Sequence, residues 1–129
     1  MSGAEVELFA VRRFPWERLI RRIQFPSRFK ACKLVGLTLA TYADADGQNV
    51  RPGQQRLMDD CQLSERTVRD ALTFLREHHL IYRRSRGSSF GTANMVDLYQ
   101  LSCPDDWRTR FSYLGDPQVE PWREQREAA

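Results

Sequence analysis

The stretch Leu63-Ser64-Glu65-Arg66-Thr67-Val68-Arg69-Asp70-Ala71-Leu72-Thr73-Phe74-Leu75-Arg76-Glu77-His78-His79-Leu80-Ile81 decides how the rest of the chain is read. Ser64 stands where a helix needs an N-cap, and Val68, Ala71, Leu72 and Leu75 follow at the spacing of one helical face. That pattern predicts a helix over residues 65–79. With this face turned inward, Glu65, Arg66, Arg69, Asp70 and Thr73 point outward. Just upstream, Leu57, Met58 and Cys61 mark the inner face of a shorter helix over residues 54–61, and Cys61-Gln62-Leu63 is the break between the two. Downstream the pattern becomes extended over 80–84, passes a Gly/Ser stretch over 85–94 and is extended again over 95–101. Two short strands around such a loop read as a hairpin.

Two more helices precede this unit. Pro15 suits a first helical position, Trp16, Leu19, Ile20 and Ile23 follow on one face, and Arg18, Arg21 and Arg22 lie on the other. Phe25-Pro26 ends that helix, because the residue before proline is pushed out of the helical region. Ser27 is then read as the N-cap of a helix over 28–43, with Ala31, Leu34, Val35, Leu39 and Tyr42 as its apolar stripe. Asp44-Ala45-Asp46-Gly47 is a tight turn; a calcium loop would need later ligands that are missing. Asn49-Val50-Arg51 reads as a very short strand. The expected fold class is therefore mainly α with a small β-hairpin, an α+β chain.

With 129 residues, 41% of them hydrophobic and 29% charged, the chain fits one globular domain. No apolar run approaches the roughly 20 residues of a membrane-spanning helix. Acids precede the short N-terminal apolar patch, the reverse of a secretory signal. Cys32, Cys61 and Cys103 are far apart and odd in number, which suits a reducing cytoplasm. No metal and no cofactor is expected: His78 and His79 are helical neighbours that point about 100° apart and cannot share an ion. Nucleotide-loop and nucleophile-elbow motifs are absent, and no enzyme is predicted. Asp59-Asp60 and Asp105-Asp106 are read as acid pairs without a basic or histidine partner nearby in sequence, explained by helix-terminal charge.

Charge is concentrated. Residues 11–33 carry eight Lys/Arg against one acid, and residues 65–86 carry six Arg against three acids, in a chain whose net charge is +3. Such segments face a polyanion. Two short helices joined by three residues have the organisation of a helix-turn-helix, whose second helix presents its outer N-terminal strip to the DNA major groove. Arg66 and Arg69 share a face and suit guanine edges or phosphate; Thr67, beside free backbone N–H groups, suits phosphate. The same arginines also fit the solvated side of an ordinary amphipathic helix. The order helix, short strand, helix, turn, helix, hairpin favours the DNA reading.

Residues 63–81 resemble the S-x-R-T-V…L…L…G-L-I signature of bacterial winged helix-turn-helix proteins, a group that includes small phage, plasmid and mobile-element regulators and replication initiators. Arg51-Pro52-Gly53-Gln54-Gln55-Arg56-Leu57-Met58 is similar to the P-S-x-x-x-L-A opening of the preceding helix. The resemblance implies a winged helix over 27–101; a basic N-terminal segment over 1–26 and a C-terminal extension over 102–129, partly helical and then a loose acidic tail from Pro117, flank it. It implies that Gln54, Ser64, Arg66, Thr67, Arg69 and Thr73 meet DNA from the helices, and Arg84, Arg86, Ser88 and Ser89 from the wing. The chain departs from the pattern where His79 replaces glycine, Gly53 replaces serine and Met58 replaces alanine. The expected partner is double-stranded DNA, with a homodimer as one arrangement. The alternatives are a protein-interaction module docking through the aromatic flanks (Phe9, Phe14, Trp16 and Phe25; Trp107, Phe111, Tyr113 and Trp122) and a replication or partition accessory factor.

Overall fold

The computed structural model describes residues 6–85 and 96–119. In chain order the elements are β1 (Leu8–Ala10), α1 (Arg13–Arg22), a 3-10 turn (Ser27–Phe29), α2 (Ala31–Thr41), α3 (Gln54–Cys61), α4 (Glu65–Glu77), β2 (Ile81–Ser85), β3 (Leu98–Pro104) and α5 (Trp107–Arg110). Helices α2, α3 and α4 pack on one another, α1 packs on α2, and the strands form one antiparallel sheet in the order β1-β3-β2. This is a winged helix-turn-helix with an additional N-terminal helix and a C-terminal extension.

The core follows the apolar periodicities. Trp16, Leu19, Ile20 and Ile23 of the first helical segment are buried, as are Leu57 and Cys61 of α3 and Val68, Ala71, Leu72 and Leu75 of α4. Trp16 lies at the centre. Its indole N–H is shared between the carbonyls of Leu80 (2.8 Å) and Ser102 (2.9 Å), tying α1 to the start of β2 and to β3. Ser102 answers with its own amide to Leu80 O (3.0 Å) and its hydroxyl to His79 O (2.8 Å). Burial pushes the Cys32 and Cys103 thiols up to about 12, so both act as small apolar residues.

One edge of β3 is completed by pieces from three places. Val50 exchanges both backbone hydrogen bonds with Tyr99, Gly47 O receives the Leu101 amide, and Leu101 O receives the Val11 amide. Beyond these, Phe9 faces Cys103 in the β1 ladder. Gly47, at φ +83°, is where the segments meet, and a Cβ there would lie 2.1 Å from the Val11 carbonyl oxygen. Glycine is required on both counts.

Several sequence expectations are corrected. Ser27 opens a 3-10 turn and makes no side-chain cap, and the helix itself begins at Ala31. Its buried face is Cys32, Val35, Gly36, Leu39 and Ala40, whereas Leu34 is 47% exposed. The stripe is rotated because Gly36 receives the Trp16 and Ile20 side chains closely. The first helix starts at Arg13, ahead of Pro15. The hairpin becomes a three-stranded sheet, with β3 displaced toward Pro104 by its pairing with β1, and the strand expected at 49–51 is the single Val50 bridge. The segment expected to be a loose tail from Pro117 is packed as far as it is described: Pro117 and Val119 are buried, and Arg18 donates to Pro117 O at 3.1 Å. Asp106 does have a nearby partner, Arg110, four residues on.

Trp16→Phe leaves the Ser102 carbonyl without its buried donor and removes ring volume. The expected loss is about 1–3 kcal/mol for the unsatisfied group, plus a cavity contribution, read as a lower urea midpoint at unchanged m-value.

Candidate nucleic-acid interface

Helix α4 is shaped at both ends by local chemistry. Ser64 Oγ accepts the Thr67 amide at 3.2 Å, the N-cap bond expected of it, and its hydroxyl bonds Thr67 Oγ1 at 3.0 Å. At the other end His79 adopts φ +62°, with its amide on Arg76 O and the Leu80 amide on Leu75 O. This pair of bonds is a Schellman closure, and its left-handed residue explains why glycine is usual there. The closure ends α4 at Glu77, two residues before the expected end. Gln62 (φ 57°) closes α3 in the same left-handed manner, with the Leu63 amide on Met58 O.

The outer strip of α4 is open. Glu65, Arg66, Arg69 and Asp70 are exposed, and Thr73 is half-buried. Arg66 lies 3.9 Å from Asp70 and Arg69 lies 3.5 Å from Glu65, both pairs one helical turn apart. The Arg66 side chain is 85% exposed. Exposed pairs of this kind contribute at most about 1 kcal/mol, so either arginine leaves its acid at little cost.

Beside this strip runs a groove of about 440 Å³, bounded by the N-terminus of α3, one side of α4 and the β2–β3 strands. Gln54, Arg69, Thr73, Arg76, Arg83 and Tyr99 are among the residues that line it. Gln54 Nε2 donates to Glu65 O at 3.4 Å, joining the start of α3 to the start of α4. Arg83 reaches Asp97 at 3.3 Å, and the Tyr99 hydroxyl donates to the same carboxylate at 3.2 Å. Gly53 (φ 81°) opens α3 without a side-chain cap, and a Cβ there would sit 3.0 Å from Val96. The wing thus explains the glycine found where serine is usual.

Of the residues expected at the interface, Gln54, Ser64, Arg66, Thr67, Arg69 and Thr73 come together around the start of α4 and the groove, and Arg84 is exposed on β2. Arg86, Ser88 and Ser89 lie outside the described residues. Sequence reading passed over Arg76 and Arg83. Arg76 follows Arg69 by two helical turns, a spacing that marks it in retrospect; Arg83 carried no such signal, because the face of a five-residue strand is set by its register.

The flanking aromatics fold inward. Phe25 and Phe29 pack on Phe74, His78 lies between Phe74 (4.3 Å) and Phe111 (5.8 Å), and Trp107 packs on Tyr113. Phe14 is exposed, and Trp122 lies outside the described residues. Arg110, held by Asp106 at 2.9 and 3.2 Å, donates to His78 Nδ1 at 3.4 Å. Burial, and then the Arg110 charge, hold the His78 pKa below the ordinary histidine range. The hydrogen bond from Arg110 holds the Asp106 carboxyl below its usual range. Among the described residues, no helix is long and apolar enough to cross a membrane.

A family model for a helix-turn-helix domain matches residues 31–81, the span of α2, α3 and α4 up to the first residue of β2. A domain of this type supports DNA binding in general. No curated protein and no solved structure matches the chain.

Ser64→Ala removes the cap of α4 and is expected to cost about 1 kcal/mol of stability, measured by denaturant unfolding. The lowered His78 pKa makes neutral histidine the form favoured by the fold. Its stabilisation is complete above the ordinary histidine pKa and declines as pH falls below it, levelling off beneath the folded-state value. Urea midpoints between pH 7.5 and 5 are expected to fall with pH, and to fall less in His78→Gln; the loss tied to Asp106 begins only lower, in the carboxylate range.

Proposed function

We propose that this helix-turn-helix protein binds double-stranded DNA sequence-specifically and serves as a transcription regulator of a phage, plasmid or other mobile element. The observation that carries the reading is the capped, outward strip of α4, where Arg66 and Arg69 stand exposed beside a groove that leads to the strands of the wing. Arg66 and Arg69 read base edges. Ser64, Thr67 and Gln54 position the phosphates beside the helix starts, Thr73 borders the groove, and Arg84, with Arg86 and Ser88 beyond it, engages the backbone from the wing. A bidentate arginine–guanine contact discriminates by about 1–3 kcal/mol, more than an exposed ion pair opposes, so exchanging Asp70 for a base edge is favourable for Arg66. One such unit covers a short footprint, and two copies on a symmetric site supply the rest of the specificity. The regulatory role follows from the resemblance to small mobile-element regulators.

The test is selection from random duplexes followed by affinities over a salt series. A short motif is expected to be enriched, and Arg66→Ala is expected to cost about 1–3 kcal/mol on it while relaxing preference at one position. Enrichment of no motif, with weak binding even at low salt, overturns the reading.

A further inference from the structure

The helix proposed to enter the groove brings no net charge to it. Arg66, Arg69 and Arg76 are balanced by Glu65, Asp70 and Glu77 within α4. The attraction to phosphate that supplies most non-specific DNA affinity therefore has to come from elements beside α4. One of these is already in view, the wing with Arg83 and Arg84.

A second lies on the other side. No Asp or Glu occurs between Glu17 and Asp44, while Arg18, Arg21, Arg22, Arg28, Lys30 and Lys33 all fall in that interval. The fold gathers four of them where α1 ends and α2 begins. Lys33 Nζ donates to Arg21 O at 2.7 Å, and Lys30 and Lys33 border a shallow depression with Gln24 and Phe25. The Arg28 guanidinium stacks on the Phe29 ring at 5.0 Å, and that ring lies 4.5 Å from Phe74 of α4. Two ring contacts thus carry from Arg28 to the recognition helix. Arg21, Arg28 and Lys30 are exposed and, among the described residues, are paired with no acid.

The side of α4 follows from helix geometry. Phe74 and Arg76 are two residues apart and point to nearly opposite sides. Arg76 faces the groove with the strands, so Phe74, and with it Arg28, marks the opposite flank. Two of these cations are placed against their own helix. The first turn of α2 holds no acid and no side-chain cap, and Lys30 and Lys33 sit there against the positive end of the helix dipole. Four cations gathered with no acid paired to them among the described residues, two of them against the dipole of α2, suit an external polyanion beside the open strip of α4.

We infer that Arg28 and Lys30, with Arg21 and Lys33 beside them, form a second phosphate-binding strip that holds the DNA backbone on the flank of α4 opposite the wing. The inference rests on the DNA-binding reading above, and α4 is then gripped from both sides of the groove it enters.

The experiment compares the full-length chain with R28Q/K30Q on the duplex selected by the unaltered protein, as log Kd against log salt concentration. Each phosphate contact contributes a slope of about 0.9, so the double variant is expected to be shallower by about 1.8 with the same preferred motif. Should Gln at position 28 loosen Phe29 and lower the unfolding midpoint, K30Q alone, at an exposed position with no ion pair among the described residues, is expected to remove about 0.9. An unchanged slope on a specifically bound duplex overturns the strip and leaves the α4 reading standing. A chain that fails to bind any duplex at low salt overturns both. A double variant that keeps the DNA slope but loses affinity for polyglutamate assigns the strip to an acidic protein and overturns its assignment to DNA.

Discussion

The structure hangs on one N–H group. The Trp16 indole donor, fully buried, is divided between two carbonyls that belong to the junction of α4 with β2 and to the middle of β3. Leu80 O also takes the Ser102 amide, and the Ser102 hydroxyl returns to His79 O. Around this knot lie the Gly36 face of α2 and the left-handed His79 that closes α4. The orientation of α4 relative to the wing is therefore set from behind, by an aromatic residue that itself has no access to solvent. Burying that donor without an acceptor would give back part of what its packing contributes.

Charge is divided between elements in the same economical way. Helix α4 is electroneutral, and Arg66 and Arg69 are each held loosely by an acid one turn away, an arrangement that costs little to undo yet blunts indiscriminate attraction to anions. Net positive charge sits instead on structures that flank the helix. In the proposed complex, separating base-reading groups from phosphate-gripping groups would let sequence preference and overall affinity vary independently. It also explains a chain with only a modest net charge that nevertheless carries two strongly basic segments.

Much of this was legible in the residues themselves. The α3–turn–α4 unit was readable because Ser64 caps, because Val68, Ala71, Leu72 and Leu75 repeat at helical spacing, and because Gln62 and Leu63 separate two short apolar stripes. Other features were set by contacts between distant residues. The face of α2 turned because Trp16 and Ile20 approach Gly36, a close fit that no local pattern announces. Strand β1 is three residues long and gains its identity only from Cys103 and its neighbours across the sheet. At the interface, the α4 side chains were foreseeable from helical geometry. Arg83 was not, since its direction depends on strand register, and Arg28 joins the same region only because Phe29 meets Phe74.

The composite edge of β3 has a bearing on how the molecule is made. Leu8, Phe9 and Ala10 pair with Pro104, Cys103 and Ser102, and the Trp16 donor finds its acceptors 64 and 86 residues further along. The helices of the middle segment, by contrast, complete one another through local contacts. Contacts of such wide sequence separation form late, after loop closure has been offset by other structure. During synthesis residues 8–23 must then wait, their apolar face and strand edge both uncovered, until residues 80–104 have followed them. The clasp that fixes α4 is synthesised before the elements it fastens.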